Sequence, residues 1–297
     1  MNPDAHGNLT GKHLVIFGCG YIGGEMARQA AARGVRVTAL TRNEGKAATL
    51  RAAGIATVVG DLAGEAWHSE IGAADLALNC VSSGGGGVEA YRRSYLAGMK
   101  SVLVWAAARG SVVSLVYTSS TSVYPQDGGV RVDETSPAAG RDERTAVLVE
   151  TEALVRASPE AARVRTVLRL AGIYGPGRTH LLQQVRAGEA SGTGAQHLNL
   201  IHRDDACGAI WAALGAPAVL GAEVFNVADD GAATRAEVTA WLAAQLGLPA
   251  PRFTGEPAGG RAPVPDRLIA NAKLKAALGW RPQYPSYREG YASLLSR

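Results

Sequence analysis

Residues 14–17 are an apolar run with no polar alternation, closed at once by glycine, as expected of a strand buried on both faces. Residues 25–33 follow with helical spacing and stop at Gly34. The pattern then repeats. Strands are predicted at 35–40, 55–59, 75–81 and 112–117, with helices at 44–53 and 88–109, the latter amphipathic and closed by Gly110. Such alternation argues an α/β fold, a doubly wound parallel sheet with helices on both faces. Right-handed crossovers place the C-terminal end of every strand on one edge of that sheet. A helix at 140–157 and a sixth strand at 164–170 continue the series, 171–177 leaves as a loop, and 224–227 reads as a further short strand. The C-terminal third carries more proline-rich connections, notably 255–265, and is expected to form a smaller, partly helical substrate lobe over the sheet edge. The expected division is a core of 12–170, to which 199–230 returns, and a lobe of 171–198 and 231–297.

Composition narrows the class without changing this outline. A chain of 297 residues, 47% hydrophobic and 19% charged, can bury a substantial core as an ordinary globular protein. The net charge of +4 is spread out, and basic pairs such as Arg92-Arg93 lack interleaved aromatics, which argues against nucleic acid as a partner. No apolar run approaches the roughly 18 residues of a membrane span, and residues 1–11 are too polar for a signal peptide. Three scattered cysteines, Cys19, Cys80 and Cys207, suit neither a disulfide framework nor a zinc site, so a reduced, cytoplasmic setting is expected. The six histidines show no metal-ligand spacing.

The chemistry gathers on the predicted strand ends. Gly18, Gly20 and Gly23 spell G-x-G-x-x-G between a strand and a helix. Gly18 permits the turn, Gly20 lets backbone approach a pyrophosphate, and Gly23 lets helix and strand pack closely. The free N–H groups of the first helical turn, around Tyr21 and Ile22, then face the phosphates. After the second strand come Thr41 and Arg42, where an Asp or Glu would accept from the ribose hydroxyls of NAD. A guanidinium there suits a 2′-phosphate, which favours NADP over NAD, the other reading being a solvated surface arginine. Asp61, with Leu62, follows the third strand and is positioned either to bond an adenine amino group or to cap the next helix. Cys80, Val81 and Ser82 end the fourth strand, and Gly84 to Gly87 form either a lip over the cofactor or a linker. Thr118 lies with the fifth strand and Leu170 with the sixth, on the same edge. Cys19 heads a helix, where a thiol pKa falls, but its size alone fits the turn.

In this order, five further stretches resemble the extended short-chain dehydrogenase/reductase superfamily, the nucleotide-sugar epimerases and dehydratases. They are VYTSSTSVYP (116–125), RLAGIYGPG (169–177), IHRDD (201–205), FNV (225–227) and LGW (278–280). The resemblance covers nearly the whole chain and implies a Rossmann core, a nicotinamide cofactor, a small-molecule substrate and a C-terminal substrate lobe. It also implies a homodimer through the helices at 88–109 and 140–157. Ser120 matches the family's catalytic Ser/Thr, which bonds the substrate oxygen, against the plainer reading of a strand-end cap.

The resemblance breaks at the family's Tyr-x-x-x-Lys pair, whose spacing puts both groups on one helix face so that the cation lowers the phenol pKa. No Tyr occurs between 125 and 173 and no Lys between 101 and 272. Aligned on Glu152, the two positions hold Arg144 and Leu148, and Tyr95 stands where many relatives carry Asn. The chain in this respect resembles the superfamily's atypical branch. Tyr174 and Tyr124 are nominated as replacement proton donors, each against a packing role. His180 and His202 titrate in the useful range, against the plainer reading of structural histidines, and Arg178, His180 and Arg267 are nominated for the substrate, the two arginines either binding its phosphate or carboxylate or standing as surface charges. The function expected is an NADP-dependent oxidoreductase or epimerase/dehydratase-like protein acting on a small polar or nucleotide-linked substrate. The alternative is a non-catalytic NADP(H)-sensing regulator.

Overall fold

The computed structural model describes residues 9–256 and 264–296. Most of the proline-rich stretch 255–265, and residues 1–8 of the polar N-terminus, lie outside these. The chain opens β1 (His13–Phe17), α1 (Tyr21–Ala32), β2 (Arg36–Thr41), α2 (Glu44–Ala52), β3 (Ala56–Val59) and β4 (Leu76–Asn79). It continues through α3 (Val88–Tyr91), a π-helical segment (Arg92–Ala97) and α4 (Gly98–Arg109) to β5 (Ser114–Ser120). Then come β6 (Val130–Val132), α5 (Glu143–Arg156), β7 (Val164–Leu170), β8 (Gly172–Tyr174), α6 (His180–Arg186), β9 (Glu189–Ala190) and β10 (His197–Leu198). The remaining elements are β11 (Leu200–His202), α7 (Arg203–Leu214), β12 (Ala222–Val227), β13 (Ala233–Thr234) and α8 (Arg235–Leu246), followed by β14 (Arg252–Phe253), β15 (Arg267–Ile269), α9 (Ala272–Leu278) and α10 (Tyr287–Leu295).

Seven strands make one sheet in the order β12-β7-β5-β4-β1-β2-β3. The pairs of β1 with β2 and β4, of β2 with β3 and of β4 with β5 are parallel. Leu14 to Phe17 are fully buried, as their unbroken apolar run requires. Phe17, Trp67 and Trp105 meet with ring centroids 5.1 to 5.8 Å apart beneath this sheet, and Met99, Val102, Leu115 and Val167 fill the space around them. The helices carry their own signals. Asn43 accepts from the Lys46 amide to start α2 at 2.8 Å, Asp142 and Thr145 form a capping box on α5, and α4 ends on Gly110 at φ +63°.

The chain forms two compact units. Unit 1 comprises Met1–Val123, Ala138–Arg169 and Ala209–Phe225; unit 2 comprises Tyr124–Pro137, Leu170–Gly208 and Asn226–Arg297. Residues 124–137, expected in the core, fall in unit 2 because β6 pairs in parallel with β15. Of the stretch 199–230, residues 209–225 fall in unit 1. Unit 2 has its own core of Leu181, Leu182, Val185, Val238, Leu242, Tyr287 and Tyr291.

Three local expectations change. The helix expected at 88–109 has the wider π-helical spacing over six residues, Arg92–Ala97, which turns Arg93 to Asp61. β4 stops at Asn79, whose Oδ1 accepts from the Val81 amide and bends the chain there. The expected loop at 171–177 contains β8, paired in parallel with β11.

Candidate functional site

The strand-end motifs of unit 1 meet in a cavity of about 200 Å³. Its floor is the β1–α1 turn. Gly18 has φ +91°, and a Cβ there would lie 2.7 Å from Val81 backbone atoms. A Cβ on Gly23 would lie 2.2 Å from the Gly18 carbonyl oxygen and 2.8 Å from Cys80 Sγ. These two glycines are demanded by protein packing. Gly20 differs: a Cβ there meets nothing within 4 Å, because that space is the cavity. Backbone approach without obstruction, at the head of a 12-residue helix, is what a pyrophosphate requires.

Of the residues nominated for the cofactor, Gly18, Gly20, Thr41, Arg42, Asp61, Leu62, Cys80, Val81 and Ser82 line this cavity. Tyr21, Ile22 and Gly23 instead sit in the first turn of α1 beneath it, Ile22 and Gly23 buried. Thr118 bonds the Asn79 carbonyl at 3.5 Å from β5, and Leu170 is a buried residue of unit 2; neither lines the cavity. Sequence reasoning missed Cys19, Leu40, Asn43, Lys46, Gly60 and Ser94 on the wall. Lys46 was the recoverable one, being the basic residue in the first turn of α2, four positions after Arg42. Ser94 was not, since the π-helical segment that carries it has no sequence signature here.

Asp61 lines the cavity but caps no helix, the next helical turn at Ala66–His68 having no side-chain cap. Its Oδ1 accepts from the Ala63 amide at 3.1 Å, and its Oδ2 accepts from Arg93 Nε at 3.0 Å. Burial acts to raise this carboxyl, but the Ala63 amide and Arg93, with Arg42 beyond, together hold it below its ordinary value. Cys19 is pushed up to about 12 by burial, opposed only in part by Lys46. The helix N-terminus therefore does not activate this thiol, and its small size explains the position.

The other end of the edge is built differently. Ser120 is the last residue of β5 and half-buried, and its Oγ accepts from the Ser122 amide at 3.1 Å. The preceding Ser119 donates to Glu152 Oε1 at 2.6 Å, and Glu152 is gripped by Arg169 through Nε at 3.0 Å and Nη2 at 2.6 Å. This buried pair, side chains 7% and 4% exposed, ties β5, α5 and β7 together just behind Ser120. On α5, Leu148 is buried, while Arg144 is exposed and donates to the Gly86 carbonyl at 3.2 Å.

Both nominated phenols are corrected. Tyr124 is fully buried, and its hydroxyl donates to Asn226 Oδ1 at 2.9 Å within unit 2. Tyr174 is 4% exposed, stacks on Tyr291 at 4.6 Å and lies edge-on to His202. Gly290 must be glycine to admit the Tyr174 ring, and burial, then Asp229 and Tyr291, push the Tyr174 phenol far above its ordinary value. These are core residues because long apolar rings beside short strands fill space first. Arg267 is corrected likewise: it is 4% exposed, its Nη1 reaching the Pro265 carbonyl at 3.5 Å, so it presents no surface cation. His202 is buried against Tyr284. Arg178 and His180 remain exposed before and at the start of α6, with His180 Nε2 3.0 Å from Gln184 Nε2.

Among the described residues, no group of acids, histidines and cysteines is arranged to hold a metal, and no helix is long and apolar enough to cross a membrane. The model of the NAD dependent epimerase/dehydratase family matches residues 14–228. Protein YeeZ of Escherichia coli strain K12 is 28% identical over 282 residues, spanning 92% of this chain and 97% of that protein. A 3-diazoavenalumate denitrifying reductase of Streptomyces sp. is 31% identical over 189 residues, 57% of this chain and 58% of the other. The crystal structure of the dTDP-glucose 4,6-dehydratase DesIV from Streptomyces venezuelae, with NAD and TYD bound, superimposes with a TM-score of 0.77 over 96% of each chain. At 21% identity, that likeness concerns the fold.

Proposed function

Because the chain belongs to the NAD dependent epimerase/dehydratase family, we propose that its cavity holds NADP and that the protein is an oxidoreductase for a small polar or nucleotide-linked substrate. The observation that carries the cofactor choice is the pairing of Arg42 with Lys46 on the cavity wall, where a ribose-binding carboxylate would otherwise stand. Arg42 offers a planar fork to a 2′-phosphate, Lys46 a point charge, and the Asn43 cap fixes the start of the helix between them. Gly20 admits the pyrophosphate against the α1 N-terminus. The bound nicotinamide supplies a site that gives or takes a hydride. Ser120 orients the substrate oxygen by donating its hydroxyl hydrogen, and the Glu152–Arg169 pair holds that strand end in place.

The second reading, an NADP(H) sensor without turnover, is favoured by one observation: Arg144 and Leu148 occupy the two positions of the absent phenol–ammonium pair. Titrating NADP and NAD against the wild type and Arg42→Ala tests the cofactor. The expected result is a preference for NADP of roughly ten- to a hundredfold, lost in the variant, as for a charge-assisted contact of about 1.5–3 kcal/mol. Equal affinities in the wild type would refute it. Loss of NADPH absorbance on adding a panel of aldehydes and ketones separates enzyme from sensor.

A further inference from the structure

The proton-transfer end of unit 1 lacks its usual phenol and ammonium, yet two other rings and a guanidinium collect there. Tyr91 closes α3 and Tyr95 lies one turn on, in the π-helical segment; their ring centroids are 5.0 Å apart. Both rings are half-buried. Arg144 reaches across from the first turn of α5 and places its guanidinium carbon 5.6 Å from the Tyr91 centroid. Its Nη2 donates to the Gly86 carbonyl at 3.2 Å. Among the described residues, no carboxylate pairs with it. Of the nearby acids, Asp142 serves its own capping box and Glu150 pairs with Arg92 at 3.4 Å.

Chain neighbours of this cluster, though not its own side chains, line the cofactor cavity. Ser94, beside Tyr95, lines the cavity, as does Ser82 at the start of the glycine loop. The loop then runs through Gly84, Gly85 and Gly86 at φ +67°, +108° and +92°, and a Cβ on Gly86 would lie 2.7 Å from that of Ala90. The loop path is thus set by glycine, and it delivers the Gly86 carbonyl that holds Arg144.

We propose that Tyr91, Tyr95 and Arg144 form a substrate-recognition site for a planar aromatic carboxylate. The assignment narrows the substrate class of the function proposed above and rests on it. A guanidinium with one N–H group committed to a carbonyl keeps a fork for both oxygens of a carboxylate. The tyrosine pair offers flat faces and edges against which an aromatic ring packs in offset or edge-on geometry. Burial, with Tyr91 nearby, pushes the Tyr95 phenol up to about 12, so at neutral pH it presents a neutral ring and does not repel the anion. A saturated or sugar acid satisfies Arg144 but leaves the ring faces without a planar partner.

Isothermal titration of trans-cinnamate into the full chain, with and without NADP, tests this directly. Single-site binding is expected in the wild type. Arg144→Ala should weaken it at least about tenfold, the loss of a hydrogen-bonded ion pair, and Arg144→Lys should recover part of it. Tyr91→Leu should weaken it roughly three- to tenfold, while Tyr91→Phe, which keeps the ring, should bind as the wild type does. Cyclohexanecarboxylate and D-glucuronate should bind at least about tenfold more weakly than cinnamate. The proposal is overturned by absence of saturation up to about 10 mM, by an unchanged Arg144→Ala, or by either non-planar acid matching cinnamate. NADP titrated in parallel reports on the cofactor assignment separately. If NADP fails to bind while cinnamate binds as described, the cofactor assignment falls and this site stands.

Discussion

The two ends of the unit 1 sheet edge obey different rules. At the nucleotide end, the cavity is shaped mainly by backbone: a left-handed turn at Gly18, a close approach at Gly23 and open space over Gly20. At the Ser120 end the chemistry rests on side chains projecting from β5 and α5, and there the family's pair has been replaced by Arg144 and Leu148. Backbone sites tolerate few substitutions, because a Cβ in the wrong place collides with main chain. A side-chain site can be emptied of its acid and base while α5 still packs through Val147, Leu148, Thr151 and Val155. Retention of a nucleotide cavity therefore says little about the reaction run beside it.

The strongest way to break this contrast is at Gly20. Gly20→Val should reduce NADP affinity more than about a hundredfold, since the added branch occupies the phosphate's space, and leave the melting temperature near that of the wild type. Retained binding in calorimetry would show that the cavity does not hold the pyrophosphate as assigned. Gly23→Ala, whose Cβ has no room, should instead unfold unit 1.

At the other end the framework rather than the chemistry should be the costly part to disturb. Glu152→Gln leaves the Arg169 guanidinium buried without its counter-charge and should cost about 3–5 kcal/mol in urea unfolding. A loss below about 1 kcal/mol, the range of exposed pairs, would mean that solvent reaches the pair.

A pH-dependent effect is expected from the acid beside Tyr174 in unit 2. Burial, against the opposing Gly231 amide, raises Asp229 from 3.8 to about 8, with Asp230, Asp205 and Glu289 adding to it. A raised folded-state pKa means that the folded chain keeps a proton which the unfolded chain has released. Stability from this group is therefore full below about pH 4 and declines as pH rises to about 8. Asp229→Asn should flatten that decline above about pH 6, leaving below it the contribution of Asp205, itself raised by burial to about 6. Melting curves between pH 4 and 9 measure it, and identical slopes in the variant and wild type would contradict the assignment.

Much of the fold was legible beforehand, for a physical reason. A strand buried on both faces reads as an unbroken apolar run, so residues 14–17 announced themselves and the glycine spacing after them located the cavity, whereas 164–170 carries the buried Arg165, Thr166 and Arg169 among its apolar residues. Arg42 and Asp61 were legible as strand-end residues on its wall. Tyr124, Tyr174 and Arg267 were not, because their motif positions place them near a strand end without saying whether the side chain turns toward solvent or into a core. Only the packed rings of Tyr291 and His202 decide that for Tyr174, and only Asn226 for Tyr124.

The amino-acid sequence by itself determined the parallel α/β order, the dinucleotide turn and the absence of the Tyr/Lys pair, since each is written in local spacing and residue type. Tertiary structure alone decided that Arg93 engages Asp61, that Glu152 joins Ser119 to Arg169, and that Arg144 meets Tyr91 above the Gly86 carbonyl. Those contacts join residues 17 to 58 positions apart. A hydrogen bond or ring contact between such residues depends on how helices pack on the sheet, a quantity that no local pattern encodes.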